Sequence, residues 1–115
     1  MITPSAINLN KDKNILSLTF EEIKYDLTTE FLRVYSPSAE VVGHGPGQEV
    51  LQVGKKDVTI KDIKPTGNYA VILFFSDNHD SGIYSWDYLY NLCQNKDKFW
   101  DRYVKNLEAA GHKRV

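Results

Sequence analysis

Asp77, His79 and Asp80 fall together in the stretch SDNHDS that follows the apolar run Tyr69 to Phe75. Polar side chains at a strand end converge easily, and one neutral imidazole with two carboxylates is a donor set for a divalent cation such as zinc or iron. The spacing Asp-x-His-Asp matches no strong ligand motif. The competing reading is a turn whose Asp and Asn side chains satisfy nearby backbone groups while His79 bonds to the scaffold. A second candidate is His44 in GHGPG, where Gly45 and Gly47 could turn backbone N–H groups toward an anion. No Lys-Ser/Thr pair follows and no helix start is evident, so a structured turn is the stronger reading.

Nucleophilic catalysis finds little support. Ser36, Ser38, Ser81 and Ser85 lie in no nucleophile elbow. Cys93 follows Trp86, Leu89 and Tyr90 at helical spacing, which marks it as a core residue rather than a thiolate. Tyr84 and Trp86 are mostly core by spacing too, yet either could rim a recognition surface. The oxygenase pattern of His-x-Asp/Glu is missing, because His79 is followed at once by Asp80 and His44 by Gly45-Pro46.

The elements that would hold these residues follow from periodicity. AINLN (6 to 10) and ILSLTF (15 to 20) flank a polar cluster and read as a hairpin; Ile23, Tyr25 and Leu27 resume the alternation out of phase, which marks a turn at Glu21-Glu22. Thr28 is placed to cap a short helix that Pro37 stops. Residues 36 to 52, SPSAEVVGHGPGQEVLQ, read as an ordered loop without a regular element. VTIKDI (58 to 63) and YAVILFF (69 to 75) read as strands around a five-residue loop at Lys64 to Asn68, the second strand central and covered on both faces. Ser85 then caps a helix carrying Trp86, Leu89, Tyr90 and Cys93, and a last helix runs from about Asp97 to Ala110 with Gly111 as its stop. LTTEFL and YSWDYL align without gaps, each after a strand, an acidic turn and a short return strand. The order of elements predicts an α+β fold, a mostly antiparallel sheet built from hairpins with two or three helices packed against it.

Composition fits that reading. The chain has 115 residues, 42% hydrophobic and 25% charged, enough for one domain with an ordinary core. A single cysteine excludes an intramolecular disulfide and a thiolate-built metal cluster. Fourteen Lys+Arg against fifteen Asp+Glu, with no basic block, argues against nucleic acid. No apolar run approaches the ~20 residues of a membrane span and no leader pattern opens the chain, so a soluble cytoplasmic protein without a membrane partner is expected.

The motifs SPSAEV, GHGPGQ, GNYAV and DNHDSGIYSWDYL together resemble the gamma-butyrobetaine hydroxylase-like N-terminal domain family, catalogued as DUF971. The resemblance covers residues 12 to 111 within a single 1 to 115 domain. It implies a module that, in long members, precedes an iron- and 2-oxoglutarate-dependent oxygenase, binds a structural zinc through three Cys and one His, and helps form a homodimer. Related modules are appended to some iron-sulfur scaffold ATPases, and many members stand alone. Carried over by position, the histidine is His79 and the cysteines fall near Ser36, Ser38 and Val41, so one of four zinc ligands is kept. No oxygenase domain is present to carry that activity.

The expectation is therefore a non-catalytic interaction module that needs no cofactor and binds a protein partner. Its expected surface is made of His44, Gly45, Gly47, Asp77, His79, Asp80, Tyr84 and Trp86. Two alternatives stand beside it: a metal-handling accessory holding iron or zinc at His79, with a role in iron-sulfur assembly, and a detached subunit of a 2-oxoglutarate-dependent oxygenase.

Overall fold

A computed structural model describes residues 2 to 43 and 49 to 113. Among them are two three-stranded antiparallel sheets and four helices, an α+β arrangement. The first sheet takes β1 (Ala6–Leu9), β2 (Ile15–Phe20) and β3 (Ile23–Thr28), and leads into α1 (Thr29–Val34) and the one-turn α2 (Ala39–Val42). The second takes β4 (Ile60–Thr66), β5 (Ala70–Phe75) and β6 (Ile83–Ser85), and leads into α3 (Trp86–Gln94) and α4 (Lys96–Ala109). Where one sheet was expected there are two. No helix among the described residues is long and apolar enough to cross a membrane.

The two halves repeat one plan, a three-strand meander followed by a hydroxyl-capped helix. Ile15 pairs with Thr28 and Ala70 with Ser85, at matching ends of the central strands. The first helical N–H of each half then reaches back to the carbonyl just before its central strand: Thr29 to Asn14 at 2.9 Å and Trp86 to Tyr69 at 3.0 Å. Alternation does the rest. Leu16, Leu18 and Phe20 on β2 and Val71, Leu73 and Phe75 on β5 all turn inward and are buried. They share one core with Leu32, Leu89, Leu92 and Cys93, while Val34, Tyr103 and Leu107 form a smaller cluster under α4.

Three local expectations need correction. β4 runs through Lys64, Pro65 and Thr66, which pair with Ile72, Val71 and Ala70, so the loop shrinks to three residues. Proline is tolerated there because β4 is an edge strand and needs no outward N–H. Residues 39 to 42 do form a helical turn, since Ser38 caps it before the glycines begin. β5 is central, but its second face is only partly covered: Ala70 is buried while Ile72 and Phe74 are half-buried, with the Lys64 ammonium 5.3 Å from the Phe74 ring.

The last helix ends as the sequence demands. Gly111 takes φ +78°, and His112 and Gly111 donate to the carbonyls of Leu107 (2.8 Å) and Glu108 (3.0 Å).

Candidate functional site

The polar site lies where the β5–β6 turn meets the segment after α1. Thr28 starts α1 by accepting the N–H of Phe31, and all six residues of α1 are buried, Arg33 among them. The chain then bends at Pro37, and Ser38 caps α2 through the N–H of Glu40. Opposite, Asn78 adopts φ +66°, and the turn is closed by Asn78 N–H to Phe75 O and Phe75 N–H to His79 O, both at 3.0 Å. Asp77 helps by accepting the N–H of His79 at 3.3 Å. These bonds roll the His79 ring inward, where it is only 4% exposed.

Both ring nitrogens of His79 are occupied. Nδ1 lies 3.0 Å from Glu40 Oε2 and Nε2 lies 2.8 Å from Ser36 Oγ. An ionised carboxylate only accepts, so Nδ1 carries the proton and Nε2 of the neutral ring accepts from the Ser36 hydroxyl. Ser36 Oγ in turn accepts the N–H of Ser38 at 3.3 Å, and Ser38 Oγ bonds Ser81 Oγ at 2.7 Å. Burial and the charge of Arg33 hold the imidazole below its ordinary value against the opposing pull of Glu40 and Asp77, which favours the neutral ring. Packing is tight enough to require glycine next door: a Cβ on Gly82 would lie 2.5 Å from Ser36 Oγ.

Asp77 anchors a second set of bonds. Its Oδ2 accepts from Arg33 Nε at 2.9 Å and Lys55 Nζ at 2.7 Å, with 8% of the Arg33 side chain exposed and 20% of the Asp77 and Lys55 side chains. Arg33 Nη1 also donates to Gln52 Oε1 at 3.0 Å, and the Gln52 carbonyl accepts from Tyr103 Oη at 2.7 Å. Burial alone would raise the Asp77 carboxyl, but the hydrogen bonds and charges of Lys55 and Arg33 outweigh it and hold it below its ordinary value.

Of the residues expected at the site, Asp77 and His79 converge, and the positions matched to family cysteines, Ser36 and Ser38, join them. Asp80 is exposed, and no hydrogen bond or ion pair ties its side chain to this cluster. Tyr84 and Trp86 are not surface residues: Tyr84 is 0% exposed with its hydroxyl on Leu32 O at 2.5 Å, and Trp86 is 8% exposed with its indole N–H on Asn68 O at 2.8 Å. Core packing claims both rings, so they are corrected out of the recognition surface, as is the buried His79. His44, Gly45 and Gly47 lie outside the described residues. Sequence reasoning missed Arg33, Glu40, Gln52 and Lys55; a basic residue within the apolar face of α1 was the one signal available.

Serine, imidazole and carboxylate stand in the order of a hydrolytic triad. Although Ser36 belongs to the wall of a neighbouring cavity, none of its surface is exposed, so no substrate carbonyl can reach its Oγ. Nor do these residues fit a zinc ion. Val41 offers no donor, the two serines are engaged with other side chains, and among the described residues no three His, Cys, Asp or Glu side chains converge. Two ligands of one tetrahedral zinc lie about 3.3 Å or more apart. The 2.8 Å between Ser36 Oγ and His79 Nε2 is a direct hydrogen bond.

Beside the cluster is a cavity of about 660 Å³, walled by Val34, Val41, Leu51 and Tyr103, with Arg102 and Asn106 contributed by α4. Val42 and Val50 line it while remaining 42% and 53% exposed. The Val50 N–H to Val41 O bond, 2.8 Å, holds these two segments side by side.

Comparison with protein families finds the gamma-butyrobetaine hydroxylase-like N-terminal model matching residues 7–90. A protein solved by NMR in solution is similar at 51% identity and a TM-score of 0.87, covering 99% of this chain and 90% of that one. A second solution structure is similar at 43% identity and TM-score 0.82, covering 99% and 86%. A crystal structure of a protein of unknown function from Acidithiobacillus ferrooxidans, assigned to the DUF971 family, is similar at 33% identity and TM-score 0.63, covering 78% and 91%. No curated protein matches.

Proposed function

The chain belongs to the gamma-butyrobetaine hydroxylase-like N-terminal (DUF971) family, and from that premise we propose that it acts as a non-catalytic, cytoplasmic interaction module for a protein partner. One observation carries this reading: the side chains at the site able to do chemistry are already spent within the chain. Ser36 is buried, His79 has both nitrogens bonded, and Asp77 is held by two cations. A catalytic site needs an accessible nucleophile or base beside a space for the reacting atom.

The cavity beside α2 is open to a partner. Its volume lies in the range of ligand pockets, and its rim carries two exposed valines next to polar groups on α4, the apolar centre and polar edge of an interface. An apolar side chain of a partner protein fits it.

The test is size-exclusion chromatography of native cell extract, tracking the endogenous protein. Elution within a larger complex that is lost in Val42→Asp and Val50→Asp variants supports the module reading. Elution as a lone chain at its natural abundance retires it, and ultracentrifugation of the purified protein separates a homodimer from a complex with another chain.

A further inference from the structure

We propose that Ser36, Ser38, Glu40, His79 and Ser81 form a metal-free clasp, in which hydroxyl, imidazole and carboxylate hydrogen bonds do the fastening that a metal centre would do at these positions. The bonds join residues 39 to 43 apart in sequence: Glu40 to His79, Ser36 to His79, and Ser38 to Ser81. Among the described residues no backbone hydrogen bond links the 36 to 42 segment to the 76 to 82 turn. These side chains are the polar tie between the two.

The geometry says what has been exchanged. His79 donates from Nδ1 to a carboxylate, which is the outer-shell arrangement that orients a metal-ligating histidine and aims Nε2 at the ion. Here Nε2 is aimed at Ser36 Oγ, 2.8 Å away, and a hydroxyl proton stands where a cation would. The space around that oxygen is filled, because even a methyl group on Gly82 would meet it at 2.5 Å. Glu40 thereby acquires a role as the positioning residue that fixes the His79 tautomer. Such a fastening has no ion to lose, so it is indifferent to chelators. The proposal stands apart from the interaction reading above.

The experiment is elemental analysis of protein purified without an affinity tag or chelator, with thermal unfolding in buffer, in EDTA and in added zinc chloride. The expected result is well under one zinc or iron per chain and a melting temperature that moves by less than about 1 °C in either additive, while Ser36→Ala lowers it by about 5 °C and Glu40→Ala, which removes a largely exposed acceptor, lowers it by less. One tightly held metal per chain, with chelation lowering the melting temperature, overturns the proposal. So do Ser36→Ala and Glu40→Ala variants that melt with the wild type. The triple variant Ser36→Cys, Ser38→Cys, Val41→Cys keeps His79 and Glu40; it is expected to take up one zinc and become chelator-sensitive. A folded triple variant that binds none shows that these positions do not share a centre, and overturns the exchange.

Discussion

Thr28 and Ser85 occupy the same place in the two halves of the chain. Each is the last residue of a return strand, each pairs with the first residue of its central strand, and each caps the next helix by accepting the N–H three residues on, from Phe31 and Tyr88 at 3.1 Å. One hydroxyl both ends a strand and starts a helix.

Removing either hydroxyl leaves a helix N–H without its partner. Thr28→Ala and Ser85→Ala are expected to cost about 1 kcal/mol each, and nearly twice that together, since the caps share no partner. Urea denaturation measures both, and strong non-additivity would contradict their independence.

Asp77→Asn removes the charge facing a nearly buried Arg33 and is expected to cost about 2 kcal/mol, less than for a fully buried pair because Asp77 and Lys55 keep some solvent. The acid side has a definite sign. With the folded-state value depressed below 3.8, the stabilisation is complete above that value and is lost as pH falls through the folded one. Acid unfolding of Asp77→Asn should therefore be shallower below pH 4 than in the wild type.

His79 acts in a different window. Its folded-state value lies below 6.5, so the unfolded chain takes up a proton first and stability declines as pH drops beneath about 6.5. Replacing His79 with Gln should flatten the stability profile there; an unchanged slope would assign it to another group.

Gly82→Ala is expected to destabilise by about 1–3 kcal/mol through its 2.5 Å approach to Ser36 Oγ. In a Ser36→Ala background the added methyl meets less, so a double-mutant cycle should show Gly82→Ala costing less there than in the wild type.

Cys93 is 6% exposed, and burial pushes its thiol up to about 11. A disulfide-exchange reagent at pH 8 should leave it unmodified in the native protein and react stoichiometrically in denaturant. Rapid native labelling would place it outside the core.

The elements were largely legible because they rest on local rules. The alternation of Leu16, Leu18 and Phe20, the capping hydroxyls of Thr28 and Ser85, and Gly111 act over a few residues, and the structure keeps them. Local reasoning failed where sheet position overrode a breaker, as at Pro65 on its edge strand. Tyr84 and Trp86 misled in the opposite sense, because a polar tip on an aromatic ring suits a surface as well as a core whose backbone carbonyls can accept it.

By itself the sequence determined an α+β chain with one buried thiol, the starts of α1, α3 and, within a residue, α4, and a polar turn at Asp77 to His79. Only the tertiary structure decided what that turn does. Glu40 and Ser36 reach His79 across 39 and 43 residues, and Arg33 reaches Asp77 across 44. No periodicity encodes such pairs, because they arise when two meanders and their capped helices close on one core. That closure makes Asp77 and His79 part of the scaffold, beside a recess lined by Val41 and Val50.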